Sequence, residues 1–231
     1  MARFLVALVV LFWLSVAAGV GTLPGQPTPH PPGPAPRDSA TVHHRFADPA
    51  GWAGVFEDPG RDAWQLPDSV VAVLADRKDL LVADIGSATG YFPVRFARAL
   101  PRGFVYGADI EPGMIQYLND RARKEGLSNL VSVLAAPEDP HLPRPVDLVF
   151  LCDTYHHIDG RVEYFTRLKS QLRPGGRIAV VDFRPESERG PEHKLAPEVV
   201  ERELTAAGYR LQVRHTFLPD QYFLVFTSAA P

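Results

Sequence analysis

Cysteine is nearly missing from this chain: Cys152 is the one thiol in 231 residues. A single thiol closes no internal disulfide and builds no cysteine metal centre. It speaks neither for nor against an oxidising compartment. Excess positive charge is missing too. Lys and Arg number 24 against 27 Asp and Glu, a formal net charge of −3. Composition therefore offers no broad basic surface to a nucleic acid. No ligand spacing suggests zinc, no carboxylate pair calls for magnesium, and no internal repeat is visible. What remains is ordinary for a globular protein: 45% apolar and 22% charged residues. The length allows one well-buried α/β domain with extra segments.

The first 40 residues stand apart. Arg3 precedes the uncharged apolar run "FLVALVVLFWLSVAAGV", residues 4–20. That is the layout of a signal peptide or a short membrane anchor, with Ala17, Ala18 and Gly19 as a candidate cleavage site. Its length is at the lower limit for a bilayer span. A buried helix is the plainer alternative, against which stands the lack of a polar face. Residues 21–40, "GTLPGQPTPHPPGPAPRDSA", are rich in proline and glycine and predict an extended linker. The folded part is expected from Thr41, with 41–79 as a cap segment ahead of a core over 80–231.

From Leu80 the chain alternates strand-like and helix-like pieces. Strands are expected at 80–86, 103–110, 130–136, 146–153 and 177–183. Helices are expected at 91–100, at 112–126 with a Gly126 cap, on the Phe165, Leu168, Leu172 stripe, and after Pro197. Residues 211–218 and 222–228 are joined by Pro219, Asp220 and Gln221 alone, which permits only an antiparallel hairpin. The fold class is thus α/β: a doubly wound, mostly parallel seven-stranded sheet with an antiparallel C-terminal hairpin and helices on both faces.

The first strand ends in "VADIGSATGYF". In a doubly wound sheet, ligands lie beyond the carboxyl ends of the strands at the switch in strand order. Gly86 and Gly90 allow positive φ and close backbone approach there. Asp109 closes the second strand nineteen residues after Gly90 and can accept hydrogen bonds from ribose hydroxyls. A dinucleotide fingerprint would need G-x-G-x-x-G, whereas the small residues here recur at every second position: Asp84-x-Gly86-x-Ala88-x-Gly90.

That loop resembles the D-x-G-x-G-x-G motif of class I S-adenosylmethionine-dependent methyltransferases. "VYGADIEPGM" resembles the family's second-strand motif, "LRPGGRIAVVDF" its approach to the fifth strand, and the terminal hairpin its reversed seventh strand. The likeness runs from about Leu66 to Ser228. It implies S-adenosyl-L-methionine as cofactor. Asp84, Gly86, Ser87, Ala88 and Gly90 would form the loop around it, with Tyr91 over the sulfonium through its π face. Asp109 would grip the ribose with Ile110 beside it. Two departures stand out. Ala88 replaces the middle glycine, at small cost if its φ is negative and at about 1–2 kcal/mol if positive. After the third strand, "LAAPEDP" has Ala136 where the family often has an aspartate on the adenine amine. Backbone groups near Ala136, with Glu138, are the expected substitutes.

The resemblance puts the acceptor at the end of the fourth strand, "CDTYHHIDGR", where Asp153, Tyr155, His156 and His157 form the candidate catalytic group. A histidine of near-neutral pKa suits proton removal. Asp153 has the alternative role of orienting the cofactor's ammonium. Cys152 is expected in the core. Trp64 and Gln65 are candidates for a lid, with Trp64 equally suited to the core. His193 and Lys194 are further candidates on the loop after the fifth strand, and His43 and His44 are expected to be solvated. Ser87 lies in the cofactor loop, which leaves no nucleophile elbow for hydrolysis. Without a large insertion, a small-molecule acceptor is favoured over nucleic acid or protein.

Two rivals share these features: a non-catalytic adenosyl-ligand binder tethered by residues 4–20, and a nicotinamide-dependent dehydrogenase. The distribution of cations, Arg3 before the run and none after it until Arg37, favours a domain outside the membrane. Localisation is thus expected to be anchored or exported, with membrane contact through residues 4–20 if they are retained. That conflicts with a cofactor made in the cytosol.

Overall fold

The computed structural model describes residues 48–228. The expected anchor (1–20), the linker (21–40), and residues 41–47 of the cap with His43 and His44 lie outside the described residues.

The described chain begins with α1 (Pro49–Phe56), a 3-10 turn (Pro59–Arg61), α2 (Asp62–Gln65) and α3 (Pro67–Leu74). There follow β1 (Leu81–Ile85), α4 (Tyr91–Ala99), β2 (Phe104–Asp109), α5 (Pro112–Lys124), β3 (Leu130–Leu134) and β4 (Val146–Cys152). After a 3-10 turn (Tyr155–His157) come α6 (Arg161–Leu168), β5 (Leu172–Phe183), α7 (Pro197–Ala206), β6 (Tyr209–His215) and β7 (Gln221–Ser228). The strands form one sheet in the order β3-β2-β1-β4-β5-β7-β6. β7 runs antiparallel to both neighbours, and every other pairing is parallel. This is the fold class the sequence predicts.

Period-two alternation splits the buried side chains between the two faces. Val82, Val105, Leu148, Val181 and Phe223 pack under α3, α4 and α5, where Phe92 and Phe96 close on Phe150 with centroids 4.7 and 5.3 Å away. Ala83, Tyr106, Val149, Val180 and Leu224 pack on the opposite face under α6 and α7, through Phe165, Leu168, Val200 and Leu204. A sheet covered on both faces requires strands that are apolar throughout, and β1 is buried at all five positions.

Three boundaries differ from expectation. α6 stops at Leu168, and Leu172, expected on its stripe, opens β5. β5 itself begins five residues early. Its pairing with β4 steps from Val146–Leu172 to Leu148–Arg177, so "RPGG" is a bulge inside the strand, with Gly175 at φ +76°. β6 starts at Tyr209, directly after Gly208 (φ +83°), and ends already at His215, so the hairpin connection is longer than expected and runs over 216–220.

β1 leads outward through β2 to β3, and the chain then returns to place β4 on β1's other side. The switch in winding therefore falls between the carboxyl ends of β1 and β4.

Candidate active site

The loop after β1 is built by backbone constraints. Gly86 (φ +77°), Ala88 (φ +44°) and Gly90 (φ +97°) all lie in the left-handed region. Gly86 cannot carry a side chain, because a Cβ there would come within 2.3 Å of Thr154 Oγ1 on the loop after β4. The two loops of the crevice thus touch at Gly86. The Gly86 and Ser87 amides donate to the Ala108 carbonyl (2.8 and 3.2 Å), and the Gly90 amide donates to the Ser87 carbonyl (2.9 Å).

Asp109 locks this loop to β2. Its Oδ2 accepts from the Ala88 amide (2.9 Å) and its Oδ1 from the Glu111 amide (3.0 Å). A carboxylate has about four lone-pair directions, so each oxygen retains capacity for a ligand hydroxyl. Burial raises the Asp109 pKa, against the lowering effect of those amides. Asp84 is buried one strand away and is held well above the usual carboxylate range, first by desolvation and then by the charge of Asp109, with Arg61 opposing. Two carboxylates strained in this way favour an incoming cation. Ile110, beside Asp109, is half exposed at the strand end.

Across the switch, Asp153 stands at φ +53°. Its Oδ1 accepts from Gln221 Nε2 (2.6 Å), and its Oδ2 accepts from Gln65 Nε2 (3.4 Å) and lies 3.6 Å from the Arg61 guanidinium. Gln65 Nε2 also reaches Gln221 Oε1 (2.9 Å) and Cys152 Sγ (2.8 Å). Gln65 and Gln221 are both wholly buried. Desolvation, then the nearby Asp182 charge, pushes the Asp153 pKa up to about 6, with Arg61 opposing. Cys152 is desolvated and its thiol pKa is well raised, which suits an inert group.

The cap segment therefore enters the site. Gln65, a lid candidate from the sequence, is buried against Cys152, Asp153 and Gln221. Trp64 packs on Phe183, with centroids 5.5 Å apart and Arg189 over its ring. Arg61 was not singled out from the sequence, although it opens the "RDAWQLP" segment. It brings a cation beside Asp84 and Asp153 and bonds Gln65 and the Phe56 carbonyl.

His156 Nδ1 lies 2.9 Å from Asp182 Oδ2, and both groups are buried. Burial opposes protonation of His156, but the hydrogen bond and charge of Asp182 outweigh it and the pKa is raised. Asp182, hidden in the strand motif "RIAVVDF", was likewise not singled out. The His157 ring lies 4.2 Å from that of His156, centroid to centroid, and is half-buried.

Several expectations are corrected. Tyr155 does not join the catalytic group: it is wholly buried, stacks on Phe165 at 5.1 Å, and donates to Glu203 Oε2 at 2.8 Å. Its side chain fills the α6/α7 core, so no acceptor reaches it. Tyr91 does not offer a free π face. The Arg61 and Arg95 guanidinia stand 4.0 and 4.1 Å from its ring centroid, and its hydroxyl donates to Asp62. The Ser87 side chain turns inward, where a Cβ on Gly107 would meet Ser87 Oγ at 2.9 Å. Ala136 has no N–H to spare, since it donates to the Asp139 carbonyl (2.8 Å), while its own carbonyl accepts from the Asp139 amide (3.2 Å) and keeps one lone pair. Glu138 is exposed. His193 is exposed, and Lys194 Nζ is tied to the Ser187 carbonyl at 3.0 Å.

A protein-family model described as "Methyltransferase domain" matches residues 76–215. The chain belongs to this methyltransferase family. Among curated proteins it is similar to a tRNA U34 carboxymethyltransferase of Desulfotalea psychrophila, 34% identical over 46% of this chain and 33% of that protein. It is also similar to the 27-O-demethylrifamycin SV methyltransferase of Amycolatopsis mediterranei, 31% identical over 52% of this chain and 44% of that protein. The chain spans about a third to a half of the length of the curated relatives it matches. Among solved structures, a SAM-dependent methyltransferase from Aquifex aeolicus shares the fold. Its TM-score is 0.72 at 22% identity, covering 79% of this chain and 99% of that one. The methyltransferase match takes in β1 to β6, including the loop from Asp84 to Gly90 and the acid at Asp109. Among the described residues, no cluster of three or more His, Cys, Asp or Glu side chains could hold a metal ion.

Proposed function

We propose that this methyltransferase moves a methyl group from S-adenosyl-L-methionine to a nucleophilic atom of a small-molecule acceptor. The observation that carries the reading is Asp109. It ends β2 while its carboxylate clamps the Ala88 amide of the positive-φ loop, so the ribose acid and the cofactor loop form one preorganised unit.

The residues present fit the cofactor. Asp109 would accept from ribose hydroxyls. Arg61 would supply a cation for the amino-acid carboxylate, and Asp84 and Asp153 would offer negative charge to an ammonium or sulfonium. Bound S-adenosyl-L-methionine supplies an electrophilic methyl group for in-line displacement. The chain's own contribution is alignment and exclusion of water. Gln65, Arg61 and Trp64 close the crevice from the cap side. His157 is the group we assign to face the acceptor. His156, with Nδ1 on Asp182, is assigned to hold His157 through ring packing.

Support for a small acceptor comes from the rifamycin-modifying relative and from the structure. Among the described residues, the longest segments outside the sheet and its helices are the cap and the loops 135–145 and 184–196. The relative named for tRNA U34 keeps a nucleic acid as the competing acceptor. The sequence of residues 1–40 supports an anchored or exported protein. No helix among the described residues is long and apolar enough to cross a membrane. A reporter fused after Ala40 tests the side on which the domain lies.

The deciding experiment is calorimetry of the full chain with S-adenosylhomocysteine. Micromolar binding that Asp109→Ala weakens at least tenfold is expected. No heat at millimolar ligand removes the reading. Binding without turnover of labelled cofactor against a metabolite extract would leave a non-catalytic adenosyl binder.

A further inference from the structure

The peptide that joins Thr89 to Gly90 is held at both ends. Its N–H donates to the Ser87 carbonyl (2.9 Å) inside the loop, and its carbonyl accepts from Arg121 Nη1 (3.0 Å) of α5. Thr89 is wholly buried, and Gly90 caps α4 with no side-chain bond. At φ +97° Gly90 has the freedom to let this peptide turn, so an external pin matters. Asp109 pins the loop at the Ala88 amide, and Arg121 pins it at the Thr89 carbonyl. Arg121 is itself set by Glu125, one turn further along α5, whose Oε1 accepts from its Nε (2.8 Å) while Oε2 accepts from Arg98 (2.7 Å).

The same guanidinium reaches the cap. Arg121 Nη1 lies 2.8 Å from Glu57 Oε1, and the two side chains are 19% and 26% exposed. Glu57 closes α1, which buries none of its residues. An exposed ion pair contributes little, because two long side chains must be ordered and water screens them. Here the guanidinium is already ordered by Glu125 and Thr89, and most of it is out of water. One residue before Glu57, the Phe56 carbonyl accepts from Arg61 Nη1 (2.8 Å), and Arg61 stands beside Asp153 and on the Tyr91 ring. The cap is also tied to α4, where Asp62 accepts from Tyr91 and Arg95, but those bonds act on side chains. Arg121 joins the cap to a peptide of the loop.

Taking the proposed adenosyl cofactor as given, we infer that Arg121 is a positioning residue that couples the cofactor loop to closure of the cap. One guanidinium fixes the Thr89 peptide and latches Glu57. The loop shape that receives the cofactor and the cap position that sets Arg61 beside Asp153 therefore stabilise one another. Arg121 acts through these two partners and not by contact with the cofactor. A cap closed in only a fraction of the molecules lowers the apparent affinity by that fraction, so loss of the latch reads as weaker binding.

The test is a double-mutant cycle on the full chain, read by calorimetry with S-adenosylhomocysteine. Glu57→Gln removes the charge of the latch and leaves the Thr89 bond, whereas Arg121→Met removes both. Affinity should fall about fivefold for Glu57→Gln and about tenfold or more for Arg121→Met. The double variant should bind within about twofold of Arg121→Met, because two partners in one interaction are not additive. With no ligand present, trypsin should cut after Arg61 about threefold faster or more in both variants than in the wild type. A purely structural Arg121 would lower the urea midpoint and leave affinity and this cleavage within about twofold of the wild type. That outcome, or additive losses in the double variant, overturns the inference while the cofactor assignment survives. Absence of heat with S-adenosylhomocysteine in the wild type overturns both.

Discussion

Ala88 holds φ +44° in the middle of the cofactor loop, where its amide must point at Asp109. An L-residue there carries a steric cost of about 1–2 kcal/mol, partly offset by the lower entropy of an unfolded alanine relative to glycine. Ala88→Gly should therefore stabilise the fold by about 0.5–1 kcal/mol, read as an upward shift of the urea midpoint. A downward shift would mean that the methyl group makes packing contacts worth more than the strain. Asp153 gives a pH prediction. Its folded pKa of about 6 lies above the ordinary 3.8, so the folded state keeps a proton that the unfolded state releases. Stability from this group is present below about pH 4 and is lost as pH rises through about 6. Between those limits the wild type should lose up to about 3 kcal/mol relative to Asp153→Asn. Parallel urea curves across that window would show that Asp153 is not the titrating group.

At the level of elements, Gln65 is the wholly buried polar tie between the cap and the sheet, beside the contacts of Arg61, Asp62 and Trp64. Gln65 reaches Cys152, Asp153 and Gln221 from the last turn of α2, and Leu66 then turns the chain through φ +45° into α3. Gln65→Leu leaves the buried Gln221 Oε1 without its donor, at a cost of about 1–3 kcal/mol. Because α3 and the strands have their own core, the loss should fall on the cap. Trypsin should then cleave after Arg61 well before the rest of the chain is digested. Uniform digestion of the whole chain would instead mean that the cap and sheet unfold together.

For the molecule as a whole, β4 had to return to β1's free side for the Gly86–Gly90 loop and Asp153 to face one another across a crevice. A ligand bound there ties β1, β2, β4 and the cap together, which in a two-state transition stabilises the whole domain. At a hundred times its dissociation constant, S-adenosylhomocysteine should add about 2.7 kcal/mol. For a domain of this size that is about 5–10 °C in Tm by differential scanning calorimetry. An unchanged Tm at saturation would place the ligand elsewhere or nowhere.

Strand and helix types, the reversed seventh strand, the positive-φ loop and the acid at its side were legible in the sequence. Each follows from short-range rules: runs of apolar residues, glycine at sharp turns, and a connection too short to cross over. The same local reading failed at Tyr155 and Tyr91. Both sit beside motif residues, but the direction of a side chain is decided by what packs against it. α6 and α7 claim Tyr155 for the core, and Arg61 and Arg95 both stack on the Tyr91 ring. The partnerships of Arg61 with Asp153, Gln65 with Gln221, and His156 with Asp182 join residues 92, 156 and 26 positions apart. No periodicity records such pairs. They exist because the sheet order brings β1, β4, β5 and β7 side by side beneath the cap, where burial leaves each polar group to find its partner among the others.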